Sequence, residues 1–162
     1  MKNPKQIDEA KFPSVELAYP IAVDSYDVAI KRLDLMDGRL QTLLTIIVTF
    51  FAAFVTIGNY QKADFSSYLF AISVIVFFVN VAAGIYARLA GSVKLLNPDN
   101  LYKDWLADSE WEFKKNMIYF ASMSFTENMT EVYTKWQFSV WLSFGLFLQA
   151  VCQLAWVTWA HP

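Results

Sequence analysis

The chain has 162 residues, of which 56% are hydrophobic and only 17% charged, a balance too apolar for an ordinary water-soluble domain. The net charge of −2 leaves no general basic footprint for nucleic acid. A single Cys and a single His, Cys152 and His161, exclude an intrachain disulfide, a cysteine-based metal cage and the familiar hydrolytic triads, so an enzyme is the least expected class and no cofactor is called for.

Residues 1 to 23 contain Pro4, Pro13 and Pro20 and read as an extended arm. They lack a short apolar stretch with a small-residue cleavage site, so no removable signal peptide is expected. From Asp24, an N-cap candidate, the pattern to Arg39 is helical, with Ala29, Leu33, Met36 and Leu40 on one face and Asp27 spaced to pair with Lys31. This helix, 24 to 39, runs without a strong breaker into a charge-free apolar stretch, 40 to 58. At about 1.5 Å per residue that stretch is just long enough to cross a hydrocarbon core.

A second apolar stretch, 65 to 86, meets its first charge at Arg88. A third, 138 to 160, is flanked by Trp136, Trp141, Trp156 and Trp159 in the manner of interfacial aromatic belts. Between these two, residues 87 to 136 hold a turn at Asn97-Pro98 and a capping-box spacing at Ser109 and Glu112. Two helices, 99 to 108 and 110 to 134, are predicted.

The fold class predicted is therefore an all-α integral membrane protein with three transmembrane helices, a cytoplasmic N-terminal helix continuous with the first, and a cytoplasmic helical segment between the second and third. Lys31, Arg32, Arg39, Arg88, Lys94 and Lys135 fall on one side and Lys62 alone on the other, which places the N-terminus inside and the C-terminus outside. The charged pieces are too small to build a core alone, so a homo-oligomer, trimer to tetramer or larger, is expected within the membrane lipid.

Each span has a weakly polar face. At 100° per residue, Thr42, Thr45, Thr49 and Thr56 lie within about 60° of one another, Ser73 and Asn80 share a face of the second span with Gly84 and Arg88, and Ser139, Ser143, Gln149 and Gln153 share one of the third. Two uses fit such faces. Small and polar residues let membrane helices pack closely, and the same residues line a water-filled path, for which Thr42, Thr45, Thr49, Thr56, Ser73 and Asn80 are the candidates. No charged residue lies within a span, which excludes an ion-coupled pump that titrates there and leaves a passive pore, an anchor or an assembly subunit. The basic residues Lys31, Arg32, Arg39, Arg88 and Lys94 set topology and touch anionic lipid. In a ring of subunits they would also hold a small polyanion.

The segment Ala29 to Leu44, with Asp37 and Arg39 before the apolar stretch, resembles the membrane-entering helix of small bacterial anti-phage effectors of the Pycsar-type, SLATT-containing and Hailong-type systems, over residues 24 to 90. The resemblance implies an oligomeric channel or membrane-disrupting effector in the bacterial inner membrane, gated by a cyclic nucleotide or single-stranded oligonucleotide made by a partner enzyme, with Asp37 and Arg39 as gating or helix-docking positions; Gly38, the weak point of the entry helix, is a further gating candidate. The alternative is a non-conducting anchor that docks a soluble partner through its cytoplasmic helices.

Overall fold

The computed structural model describes residues 12–97, 105 and 108–159. Among these all regular structure is helical: α1 runs Val15–Tyr60, α2 Tyr68–Leu89 and α3 Glu110–Trp159. All three are long and apolar enough to cross a membrane. Two compact units share the long helices. One comprises residues 1–33 and 92–132, the other 34–91 and 133–162.

The sequence patterns place the elements well and several of their ends less well. α1 starts at Val15, not Asp24, and the Ser14 carbonyl accepts the amides of Leu17 and Ala18 as the first turn closes. Pro20 lies inside the helix, where it removes one backbone bond. The helix survives because Val15 before it and Tyr26, Ala29 and Leu33 beyond it bury a face, and tertiary packing outweighs local propensity. Asp24 is a mid-helix residue and caps nothing, and among the described residues Asp27 and Lys31 do not pair with each other. The helix passes unbroken through Gly38. α3 is likewise one element where a separate helix and span were predicted. The helix expected over 99–108 lies almost wholly outside the described residues, as do the first eleven residues of the predicted arm.

One periodicity organises the burial. In α3 the rows at Ala121, Asn128, Lys135, Leu142, Gln149 and Trp156 are all buried, each seven residues from the last. In α1 the equivalents are Tyr26, Leu33, Leu40 and Ile47, and in α2 Ser73, Asn80 and Ala87. A strict seven-residue repeat keeps a seam facing its partner when helices coil left-handedly about each other.

In the unit of residues 34–91 and 133–162, Leu40, Ile47, Ala87 and Leu142 form one core cluster, and Ala63, Trp156 and Val157 another. Close approach is built from glycine. A Cβ on Gly58 would strike the Trp156 ring, one on Gly84 the Leu44 side chain, and one on Gly145 the Asn80 carboxamide. Trp156 is no interfacial belt residue. It is fully buried, edge-on to Phe65, and its indole N–H donates to the Asp64 carbonyl at 2.9 Å. Trp136, Trp141 and Trp159 are exposed.

The α1–α2 connection is a Schellman turn. Ala63 N–H donates to Gly58 O, and Lys62 N–H to Asn59 O, with Lys62 in the left-handed conformation at φ 57°. Asp64 then accepts from the backbone and hydroxyl of Ser66, which holds its carboxyl below the usual range, and Ser67 caps α2 by accepting from Phe70 N–H.

In the other unit, α1 and α3 pack through Tyr26 and Phe120, in edge contact at 5.7 Å between centroids, and the connection after α2 is tied to them. Tyr26 Oη donates to Lys94 O and accepts from Leu96 N–H, both at 3.1 Å, while Asn128 Oδ1 accepts from Lys94 N–H at 2.9 Å. The predicted capping box forms, with Glu112 N–H donating to Ser109 Oγ and Ser109 N–H to Glu112 Oε2.

Candidate functional site

The threonines predicted to line a path stand on the outside of the unit that contains them. Thr42, Thr45, Thr49 and Thr56 are all exposed. Thr42, Thr45 and Thr56 donate to the carbonyls of Gly38, Gln41 and Ala52 in their own helix, at 2.9 to 3.0 Å, so they present lone pairs outward. Thr49 makes no such bond among the described residues.

Ser73 and Asn80 are placed differently. Ser73 is fully buried and donates to Phe70 O. Asn80 donates from Nδ2 to Gln149 Oε1, and Gln149 donates in turn to the Ile47 carbonyl, both at 3.3 Å. These two residues tie three helices together inside one subunit, which is the packing use of a polar face, and the threonine row alone is left on a surface.

The exposed face of α1 carries a second seven-residue row, Ile21, Val28, Leu35, Thr42, Thr49 and Thr56, and every member is exposed. Its composition is inverted with respect to solvent. The apolar members Ile21, Val28 and Leu35 come from the charged half of the helix, and the threonines from the half apolar enough to sit in a membrane. Water disfavours the first three, and lipid gains nothing from the second three.

Two grooves flank α2. The one against α1, about 410 Å³, is walled by Gln41, Thr45, Thr49 and Arg88 together with Leu44 and Val81. The one against α3, about 350 Å³, is walled by Ile75, Val79, Trp141, Phe144 and Leu148, with Asn80 at its floor. The first mixes four polar side chains with the apolar Leu44, Val48, Val81 and Ile85, whereas the second is apolar but for Asn80.

The predicted anion-binding residues divide between the units. Arg39 and Arg88 belong to one and Lys31, Arg32 and Lys94 to the other, and all five are exposed. Lys94 borders a cleft of about 500 Å³ walled by Trp105, Tyr119, Phe120 and Ser124, and lies 3.6 Å from Glu127. Of the gating candidates, Asp37 accepts from Lys135 Nζ at 2.5 Å, while a Cβ on Gly38 would meet open space.

Sequence reasoning missed one buried group of the α3 seam, and the polar face it named on the third span carries two more. Lys135 was read as a topology charge, yet its side chain is 8% exposed. Ser139 Oγ and both amide atoms of Gln153 are buried without a hydrogen-bond partner. The seven-residue spacing from Asn128 through Lys135 to Gln149 was the available signal. Lys114 pairs with Glu110 and Glu16, each at 2.7 Å. Hydrogen bonding by Lys114 lowers the Glu110 carboxyl, and the bonds to Glu110 and then Glu16 raise the Lys114 ammonium. Among the described residues no three His, Cys, Asp or Glu side chains gather to hold a metal.

The chain matches no protein-family model, no curated protein and no solved structure.

Proposed function

We propose that the chain is the subunit of an oligomeric pore in the bacterial inner membrane, formed by copies packed in parallel through the outer row of α1. The observation that carries this reading is the inverted row. Apolar Ile21, Val28 and Leu35 supply the contact where α1 lies in water, and Thr42, Thr49 and Thr56 supply polar walls where it lies in lipid. The α1–α2 groove then faces the path and the apolar α2–α3 groove faces acyl chains. At about 1.5 Å per residue the 46 residues of α1 extend about 69 Å, more than twice a hydrocarbon core, which leaves its first half in the cytoplasm by the distribution of Lys and Arg.

Opening such a pore depolarises the cell, and the resemblance over residues 24 to 90 favours a role in anti-phage defence. A cyclic nucleotide or oligonucleotide made by a partner enzyme would control it. The cleft beside Lys94, with its Trp105, Tyr119 and Phe120 walls, has the size and aromatic surface for a base. Any such ligand acts by binding one state of the ring more tightly than the other.

The test is current across planar bilayers containing purified protein, alone and with cyclic mono- and dinucleotides. The expected result is discrete conductance that Thr49→Leu abolishes or greatly reduces. Absence of current under every nucleotide refutes the pore and favours the second reading, a non-conducting anchor whose exposed Leu17, Ile21 and Val28 dock a soluble protein that co-purifies in fixed proportion.

A further inference from the structure

Arg88 is the only formally charged residue among those described as lining the α1–α2 groove. It stands in the last turn of α2, exposed, and its guanidinium makes no hydrogen bond or ion pair among the described residues. Beside it the groove offers Gln41 and the Thr49 hydroxyl, which is not spent on its own helix. The carboxylates of this stretch of α1 leave that charge uncompensated. Asp37 is held by Lys135, and Asp34 lies two turns before Gln41, outside the groove lining.

We propose that the path carries anions in preference to cations and that Arg88 is the residue that selects them, an inference that rests on the pore reading above. A ring of subunits repeats the guanidinium around the axis, and rings of Arg or Lys are how pores attract anions. The threonine row opposes this. Thr42, Thr45 and Thr56 have donated their hydrogens to backbone carbonyls, so their outward lone pairs favour cations. Of these three only Thr45 lines the groove with Arg88, a full charge outweighs such a neutral dipole, and focusing in a low-dielectric wall raises the local concentration of the counter-ion roughly tenfold or more. Removing Arg88 therefore inverts the preference rather than erasing it.

The experiment is the reversal potential of the purified protein under a KCl gradient, in bilayers of phosphatidylcholine alone and again with phosphatidylglycerol added. Wild type is expected to reverse toward the chloride potential in both lipids, Arg88→Lys to keep that sign, Asp34→Asn to leave it unchanged, and Arg88→Gln to conduct with reversal toward the potassium potential. A wild-type preference for potassium, or an Arg88→Gln variant still selective for chloride, overturns the proposal while leaving the pore intact. Anion preference that vanishes when phosphatidylglycerol is added assigns Arg88 to a lipid phosphate and overturns it also. No current from any variant under any nucleotide refutes the pore and the selectivity together.

Discussion

Lys135 donates to Asp37 at 2.5 Å, and the two partners differ in their access to water: the lysine side chain is 8% exposed, the aspartate 36%. Removing the carboxylate strands an ammonium that water reaches poorly, whereas removing the lysine leaves a carboxylate that water still solvates. Asp37→Asn is expected to lower stability by about 1–3 kcal/mol, the range for a buried polar group left unsatisfied. Lys135→Met should cost less, and the double variant should recover much of the Asp37→Asn loss. Thermal unfolding in detergent of the four proteins checks the order, and a double variant as unstable as Asp37→Asn alone would show that the pair is not the source.

Two helical glycines should respond in opposite directions. Gly38 has open space where a Cβ would go, so Gly38→Ala is expected to stabilise α1 by about 0.5–1 kcal/mol. Gly145 has the Asn80 carboxamide there, so Gly145→Ala displaces Asn80 from Gln149 and destabilises the bundle. The same unfolding measurement applies, and loss of activity in Gly38→Ala without loss of stability would mark Gly38 as a gate.

Lys62 holds the left-handed position of the Schellman turn, a conformation costing a side chain roughly 1 kcal/mol. Lys62→Gly is expected to be neutral or stabilising, and Lys62→Val clearly destabilising. If both variants unfold at the wild-type temperature, this turn contributes nothing to the rate-independent stability of the unit.

Packing of copies through the outer row of α1, as proposed above, would make association sensitive to charge at its apolar members. Val28→Asp with Leu35→Asp should convert the oligomer to a monomer by light scattering in detergent while leaving the helical circular dichroism unchanged, because both positions are exposed in the subunit. An unaltered oligomer after both substitutions would exclude this face as the interface.

The Glu16–Lys114–Glu110 cluster gives the unit of α1 and α3 a defined pH window. A lowered carboxylate contributes above its unfolded value, 4.5 for Glu110, and is lost as pH falls through the folded one. A raised lysine contributes below its unfolded value, 10.5, and is lost as pH rises through the folded one. The tie is therefore whole between the two. Trp111 emission, with Lys115 stacked 5.1 Å from its ring, is expected to stay constant across that window and to change only outside it. All of these groups contact solvent, so the effect should shrink in high salt.

The existence and order of the three apolar helices were legible because hydrophobic runs of that length have few alternatives, and the Ser109–Glu112 box was legible because its chemistry is local. The start of α1 was not. Pro20 and Asp24 are strong local signals, and packing by Tyr26, Ala29 and Leu33 overrode them. Of the polar faces, the wheel found each one but could not distinguish inside from outside. That distinction belongs to tertiary structure, which buried Ser73, turned Asn80 inward onto Gln149 and left the threonines outside. Lys135 escaped because a lysine near a span end reads as a topology signal until its partner is seen.

Glu16 and Lys114, and Asp37 and Lys135, are each 98 residues apart, and Gly58 beneath Trp156 keeps the same interval. All six residues lie within α1 or α3, and none lies in the connection that joins α2 to α3. The chain between Ser92 and Ser109 can therefore change length without disturbing any of the three contacts, provided the ties to Tyr26 and Asn128 remain. A single residue inserted within either long helix would rotate everything beyond it by about 100°, turning Gln149 toward lipid and the outer row of α1 away from its neighbour. Length variation in homologous chains is accordingly expected in the connection, and in the helices only by sevens in both at once.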